Sequence, residues 1–196
     1  MKKRLRIVLS AERRDYARQI EEVLAAAHHQ VVAVVEPEDD LVVYAQQAQA
    51  DALIIERSAP TALLLQQLHR LNKARPLPVT VFVDRSGPQD IQAAVKTGVT
   101  AYVVDGFRPD RVVSVLEAAC ARFLEFQALR SQRDQAQAKL AERKHIERAK
   151  GILMRRRTID EDTAYQVLRK MAMDRGRQLA EVAESIITAE EMLAQG

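Results

Sequence analysis

Residues 143–157 read RKHIERAKGILMRRR, and this stretch decides the fold of the C-terminal third of the chain. It holds seven lysines and arginines against one glutamate. A helix turns about 100° per residue, so its cationic and apolar residues separate onto two faces. The cationic stripe contains Lys144, Arg148, Gly151 and Arg155. A face of this kind, with cations around a residue that has no side chain, is suited to a polyanion.

The opposite face of the same helix carries Ile146, Ala149 and Leu153, which we expect to pack against a core. Residues 141–178 hold 11 basic and 6 acidic residues, whereas residues 179–196 hold four glutamates and no lysine or arginine. The whole chain has a net charge of only +3. Because the cationic character is local, it favours a docking surface, although most charged runs of this kind contact only water.

Two further helices are predicted after the basic stretch. Thr158 and Glu161 have the spacing of a capping box, which predicts the start of the second helix. Gly176 is placed to end it, because glycine adopts the left-handed conformation that closes many helices. The predicted inward-facing residues of the two helices are Ala164, Leu168, Met171, Leu179, Val182, Ala183 and Ile186. A three-helix unit this small has a marginal core.

Three motifs follow one another in this region: AKGILM (149–154), AYQVLRKMAM (164–173) and LAEVAESII (179–187). Together they resemble the ANTAR domain, the RNA-binding module of the AmiR/NasT transcription antiterminators. Within that family, the chain looks most similar to NasT-type nitrate and nitrite regulators. The resemblance implies an RNA-binding domain over residues 141–196, with a receiver-like domain and a helix ahead of it.

The resemblance and the charge pattern together define candidate RNA-binding residues. They are Lys144, Arg148, Lys150, Gly151, Arg155, Arg156, Tyr165, Arg169, Lys170 and Arg175. Contacts between the cations and phosphates would give salt-dependent affinity. Tyr165 and Arg169 are one helical turn apart, so a ring and a guanidinium would stack on unpaired bases of a hairpin loop. Two alternatives stay open: Tyr165 packs at the edge of the small core, and Arg156 is only solvated.

The first 125 residues alternate short apolar runs with amphipathic segments. The runs lie at 5–9, 31–35, 52–55, 79–83 and 101–104. Continuous valine, isoleucine and leucine runs are typical of parallel strands covered on both faces. The segments near 13–27, 38–49, 60–73, 88–97 and 109–125 are predicted helices. These five βα units predict a doubly wound α/β domain of flavodoxin-like order over residues 1–125.

The last predicted helix of this half continues into a long linker helix. Between Pro109 and Arg156 there is no further proline, and Gly151 is the only glycine. An apolar seam along this helix contains Leu116, Phe123, Phe126 and Leu129. Residues 130–139 are too polar for a strong heptad pattern. Two interpretations therefore stay open for 126–140: a parallel coiled-coil dimer, which the phenylalanine pair favours, and a solvated spacer.

The N-terminal half resembles a response-regulator receiver that lacks its phosphorylation residues. Such a receiver needs an acidic pair after the first strand, an aspartate after the third, a threonine or serine after the fourth and a lysine after the fifth. The residues at these positions are Ala11, Glu12, Glu56, Val83 and Asp105. Magnesium requires near-octahedral oxygen ligands, so we expect neither phosphotransfer nor a bound metal or other cofactor. Glu12, Glu56 and Asp84 form either a weak cation site or an acidic edge without a ligand.

These observations predict a homodimeric RNA-binding antitermination regulator that binds tandem stem-loops in a nascent leader transcript. On the resemblance, a ligand-sensing partner sequesters it until nitrate, nitrite or an amide appears. The alternative is a DNA-binding response regulator of the helix-turn-helix type, which also places a basic helical unit after a receiver. An enzyme is not expected, because the sequence has no metal-ligand spacing, no glycine-rich phosphate loop and a single cysteine, Cys120. The sequence shows neither a signal peptide nor an apolar span, which predicts a cytoplasmic protein.

Overall fold

The computed structural model of the protein describes residues 4–194, with five strands and seven helices in that part of the chain. These residues form two compact units, which are divided between Gln127 and Ala128. The N-terminal unit contains the five strands, and the C-terminal unit is helical. The predicted fold class, an α/β domain followed by a long helix and a small helical domain, is confirmed.

One parallel sheet forms the centre of the N-terminal unit. Its strands are β1 (Arg6–Ala11), β2 (Gln30–Val35), β3 (Ala52–Arg57), β4 (Val79–Val83) and β5 (Ala101–Val103). They are arranged in the order β2-β1-β3-β4-β5, which is the predicted flavodoxin-like order. The register pairs Leu9 with Ile54 and Ile55 with Val81, so apolar residues of neighbouring strands point into the same layer.

A helix follows each strand of this unit. The helices are α1 (Arg14–Ala26), α2 (Leu41–Gln47), α3 (Ala62–Ala74), α4 (Pro88–Lys96) and α5 (Pro109–Arg157). Side-chain caps start α2 and α3: Asp40 Oδ1 accepts the amide of Val42 at 2.9 Å, and Thr61 Oγ1 accepts the amide of Leu64 at 3.1 Å. Each cap satisfies a backbone donor that has no partner within the first helical turn.

The sheet is covered on both faces. Helices α2 and α3 bury their leucines against one face, where Leu53 and Ile55 point from β3. Helices α1 and α5 cover the other face, toward which Ala52 and Ile54 point. This alternation along β3 explains its continuous apolar sequence, because a strand with two buried faces has no position for a polar residue until its end.

Leu116 is wrong as a residue of the linker seam, because it is fully buried in the core that α1 and α5 form on the sheet. The first turns of α5 belong to the N-terminal unit, and an apolar residue there contributes to that core. Farther along α5, Phe123 is half-buried, whereas Phe126 and Leu129 are 64% and 58% exposed. Their role in a dimer remains a prediction.

The C-terminal unit consists of the last turns of α5 together with α6 (Glu161–Arg175) and α7 (Leu179–Ala194). Each helix contributes small and branched apolar side chains to one core. Its buried members are Ala149, Ile152, Leu153, Ala164, Leu168, Ala172, Val182, Ala183 and Ile187. The predicted inward faces of all three helices are confirmed, with Ile146, Met171, Leu179 and Ile186 partly buried at the edge of this core.

The capping box predicted from Thr158 and Glu161 is wrong. Helix α5 continues to Arg157, and Thr158 follows it with a positive φ of 53°. Helix α6 is instead capped by Asp160, whose Oδ1 accepts the amide of Thr163 at 2.8 Å. The prediction that Gly176 ends α6 is confirmed, because it has a left-handed φ of 59° there.

Candidate nucleic-acid interface

The end of α5 has two faces, as its periodicity predicts. Ala149 and Leu153 are buried in the core of the C-terminal unit. Lys144, Arg148 and Arg155 are exposed on the cationic face. Burial of the apolar side therefore orients these three cations toward solvent, where a polyanion can reach them.

Gly151 lies half-exposed within this cationic face. A Cβ atom added to it would meet nothing nearer than Arg155 Nη1 at 3.9 Å, which is an ordinary van der Waals distance. The fold therefore has room for a side chain at this position. Without a Cβ, the half-exposed backbone at Gly151 is open to close approach by another group.

Lys150 is wrong as an RNA-binding residue. It is only 8% exposed, and its Nζ donates to Glu147 Oε1 at 2.8 Å and to Glu161 Oε1 at 2.7 Å. These two hydrogen bonds raise the pKa of Lys150 above the usual lysine value. The side chain points toward the start of α6, where Glu161 lies, and so it joins α5 to α6.

Two cations of the predicted set form ion pairs with the end of α7. Arg148 Nη2 donates to Glu191 Oε1 at 2.8 Å, and Arg156 Nε donates to Glu190 Oε2 at 3.0 Å. All four side chains keep contact with solvent, so these pairs are weak. An RNA phosphate would have to replace these carboxylates. By contrast, Lys144 and Arg155 form no ion pair within residues 4–193.

Helix α6 presents the remaining predicted residues. Tyr165 is 42% exposed, and Arg169, Lys170 and Arg175 are exposed on the same helix. Tyr165 is not among the side chains that pack against the edge of the small core, and its stacking on bases stays a prediction. Sequence reasoning did not single out Met173 as an exposed apolar side chain. It is 72% exposed and follows Arg169 by one helical turn. The four-residue spacing from Tyr165 to Arg169 and then to Met173 was the available signal.

The residues at the phosphorylation positions of the receiver do not form a phosphorylation site. Ala11 is buried at the end of β1, and Glu56 is 1% exposed near the end of β3. Glu12 Oε2 accepts the amide of Ser58 at 2.7 Å. Asp105 is exposed after β5 with a φ of 75°. None of these side chains is a lysine or an acidic pair that could hold a metal-bound phosphoryl group.

Val83 is wrong as the fourth position of this site. Its side chain is fully buried in the core beneath α2 and α3, on the opposite face of the sheet from Glu56. Asp84 is the residue that reaches the strand ends, and its carboxylate lies 3.0 Å from Arg13 Nη2. The apolar run of β4 ends at Val83, one residue before Asp84. The run alone does not show which of these two side chains points toward Arg13 and Glu56.

Sequence reasoning also missed Arg13, which contacts both Glu56 and Asp84. These contacts join residues far apart in sequence, and Arg13 was not part of any recognised motif. Within residues 4–193 the structure brings no three histidine, cysteine, aspartate or glutamate side chains into a group that could hold a metal ion. None of the described helices has the length and apolar composition needed to cross a lipid bilayer.

The two halves of the chain are similar to different groups of known proteins. The family model of the ANTAR domain matches residues 134–187. The transcriptional regulatory protein PdtaR of Mycobacterium tuberculosis (strain CDC 1551 / Oshkosh) is 24% identical over 182 residues, which cover 93% of this chain and 89% of PdtaR. The nitrate regulatory protein of Klebsiella oxytoca is 40% identical over 68 residues, which cover 35% of this chain and 17% of that protein.

The N-terminal unit is similar in fold to receiver domains. One is the signal receiver domain of a modulated diguanylate cyclase from Desulfovibrio desulfuricans G20, with a TM-score of 0.54 and 16% identity over 62% of this chain and 97% of that one. Another is the receiver domain of the putative response regulator NarL from Mycobacterium tuberculosis, with a TM-score of 0.53 and 14% identity over 60% of this chain and 98% of that one. The chain therefore combines a receiver fold in its N-terminal unit with a match to the ANTAR domain over residues 134–187.

Proposed function

We propose that this protein is an RNA-binding transcription antitermination regulator that acts by binding and not by catalysis. The observation that carries the proposal is the exposed cationic face at the end of α5, where Lys144 and Arg155 flank Gly151. The ANTAR match over residues 134–187 and the regulatory proteins among its relatives support the same conclusion. The target would be a pair of stem-loops in a leader transcript, whose binding prevents a terminator hairpin from forming.

The chemistry of the C-terminal unit suits a hairpin loop. Lys144 and Arg155 are free of ion pairs within the described residues and would contact phosphates. Tyr165 and Arg169 present a ring and a guanidinium on α6, and both groups stack on unpaired bases. Side chains cannot read the narrow major groove of double-stranded RNA, so splayed loop bases are the accessible target.

A homodimer is part of the proposal. Phe126 and Leu129 are apolar and mostly exposed on α5, which favours the coiled-coil interpretation over a solvated spacer. Two copies would present two RNA-binding units to one transcript. The second loop then binds in an intramolecular step, and the effective concentration raises the overall affinity.

Control by a ligand-sensing partner completes the proposal. The AmiR/NasT resemblance supports such a partner, which would sequester the regulator in the cytoplasm until nitrate, nitrite or an amide is present. The departures at Ala11, Glu56 and Asp105 from the residues that phosphorylation needs support an input other than phosphorylation.

A gel-shift experiment tests the target class. The purified full chain is mixed with a leader RNA that contains two hairpins, with the same RNA reduced to one hairpin, and with duplex DNA of equal length. We expect binding to be tightest for the two-hairpin RNA, weaker for one hairpin and weakest for the duplex. Preference for duplex DNA would instead support the helix-turn-helix class and contradict antitermination.

A further inference from the structure

Glu56 is an unusual carboxylate because it lies near the end of β3 with only 1% of its surface exposed. It accepts four hydrogen bonds. The donors are the amide of Glu12 at 3.1 Å, the amide of Arg13 at 3.2 Å, Arg13 Nε at 3.0 Å and Arg13 Nη2 at 2.6 Å. A buried carboxylate is tolerated only when it is paired and hydrogen-bonded, so Arg13 is its counter-charge.

Arg13 also reaches the neighbouring strand end. Its Nη2 donates to Asp84 Oδ1 at 3.0 Å, so one guanidinium bridges the Glu56 carboxylate near the end of β3 and the Asp84 carboxylate that follows β4. Burial would lower the pKa of Arg13, but hydrogen bonds to Glu56 and Asp84 outweigh it and hold the pKa above its usual value. The group is therefore a permanent cation in the space between two acids.

This space lies at the carboxyl ends of the parallel strands, where receivers that are phosphorylated hold Mg²⁺. With Arg13 in this space, the carboxylates of Glu56 and Asp84 are already paired and are not available to that ion. Ala11 offers no oxygen ligand from its side chain, and Glu12 is turned to the amide of Ser58. A planar guanidinium satisfies two carboxylates through directed N–H groups, whereas Mg²⁺ demands six oxygens in near-octahedral geometry.

We propose that the guanidinium of Arg13 is the resident cation of this receiver and excludes divalent metal from the space between Glu56 and Asp84. The receiver thus keeps a cation between these two carboxylates without metal or a phosphoryl group. The inference is independent of RNA binding, because every residue in it belongs to the N-terminal unit.

A chain of aromatic contacts also links Arg13, through Tyr16, to Phe107 just before α5. Its guanidinium carbon lies 3.8 Å from the ring centre of Tyr16, and the Tyr16 ring lies 5.1 Å from that of Phe107. Phe107 packs edge-on against Phe82 of β4, with 6.1 Å between ring centres. Because Phe107 lies two residues before Pro109, the cation is coupled to the residues from which α5 begins.

Mn²⁺ binding to the full chain tests the proposal. Titration calorimetry and the electron paramagnetic resonance signal of free Mn²⁺ should show no site in the wild-type protein. Arg13→Met keeps the length of the side chain and removes its charge, and it should bind one Mn²⁺ per chain, tighter than wild type by at least about tenfold. Adding Glu56→Gln to that variant should abolish the site. Arg14→Met, a neighbouring exposed arginine, is the matched control and should behave as wild type.

Two results overturn the proposal: wild-type protein that binds Mn²⁺ as tightly as Arg13→Met, or a folded Arg13→Met variant that binds none. If Arg13→Met does not fold, two other measurements decide. Arg13→Lys keeps the cation and should fold without binding Mn²⁺. The melting temperature of the wild-type N-terminal unit should be the same in about 10 mM MgCl₂ as in a chelator, because a ligand that binds only the folded state would raise it. A rise, or Mn²⁺ binding by Arg13→Lys, contradicts the proposal.

Discussion

Gly151 and Gly176 have different backbone conformations, so replacing each glycine by alanine should change stability in opposite directions. Gly176 ends α6 with a φ of 59°, so Gly176→Ala should destabilise the C-terminal unit by about 1 kcal/mol because of the left-handed backbone. Gly151 lies inside α5 with room for a Cβ, so Gly151→Ala should stabilise the unit by up to about 1 kcal/mol. Hydrogen exchange of the α6 amides measures both changes, since it reports on one unit of a two-unit protein.

The same Gly151→Ala variant should bind hairpin RNA more weakly than wild type. Under the proposed function the backbone at Gly151 is approached by the RNA, and a methyl group would hold it away. Gly176→Ala is the control, because it changes stability at a position away from the cationic face. A Gly151→Ala protein that is more stable and binds RNA as well as wild type would remove Gly151 from the interface.

Substitution of Arg148 and Arg155 tests whether the cationic face of α5 contacts RNA. Replacing both by alanine should weaken hairpin binding and reduce the slope of log affinity against log salt by about 0.7 for each phosphate that the protein no longer neutralises. The fold should be retained, because both side chains are exposed. Arg130→Ala with Lys139→Ala removes the same charge from exposed positions earlier on α5 and should leave the slope unchanged. If both double variants reduced RNA affinity and its salt dependence equally, the loss would reflect net charge and not contact with the cationic face.

At the scale of the element, the end of α7 would compete with RNA for two of the cations on α5 under the proposed function. Glu190 pairs with Arg156 and Glu191 with Arg148. Glu190→Gln with Glu191→Gln should therefore tighten hairpin binding, by about threefold to fivefold because exposed pairs are worth at most about 1 kcal/mol. Glu184→Gln removes a carboxylate from an exposed position earlier on the same helix and is the control. Unchanged affinity in the double variant would mean that RNA does not contact these arginines.

The start of α6 should depend on pH through Asp160. Hydrogen bonds from the Thr163 side chain and amide lower the pKa of Asp160 below its usual value of 3.8. The carboxylate therefore stabilises the helix above that value, and this contribution is lost as the pH falls through the lower pKa of the folded state. Asp160→Asn keeps an acceptor for the cap but does not titrate. The melting temperature of the C-terminal unit should fall between about pH 5 and pH 3 more in wild type than in this variant. Parallel curves would exclude Asp160 as the cause.

Elements with a strong apolar pattern were predictable from the sequence, and contacts between elements were not. The five strands, the extent of α5 and the inward faces of the C-terminal helices all follow from periodicity that each segment carries by itself. The roles of Lys150 and Arg13 were missed because each depends on a partner in another element, Glu161 and Glu56. A register difference of one residue separates Val83 from Asp84, and a period of two makes that enough to reverse the face.

At the scale of the whole molecule, the proposed dimer depends on the exposed apolar residues of α5. Phe126, Leu129 and Leu140 are each more than half exposed, and at about 100° per residue they lie within one sector of the helix. Leu124 is 69% exposed but lies on the opposite side. An isolated helix surface of this kind gains free energy when a second copy covers it.

Phe126→Glu with Leu129→Glu should convert a dimer into monomers, as measured by analytical ultracentrifugation, because two carboxylates would be buried in the pairing surface. Leu124→Glu is the matched control and should remain dimeric, since it adds a charge outside that sector. The double variant should lose much more affinity for a two-hairpin leader RNA than for one hairpin, because each RNA-binding unit is intact and only the gain from effective concentration disappears. If both RNAs lose affinity equally, the residues support the RNA-binding unit itself. If the mass is unchanged, α5 does not pair through this sector.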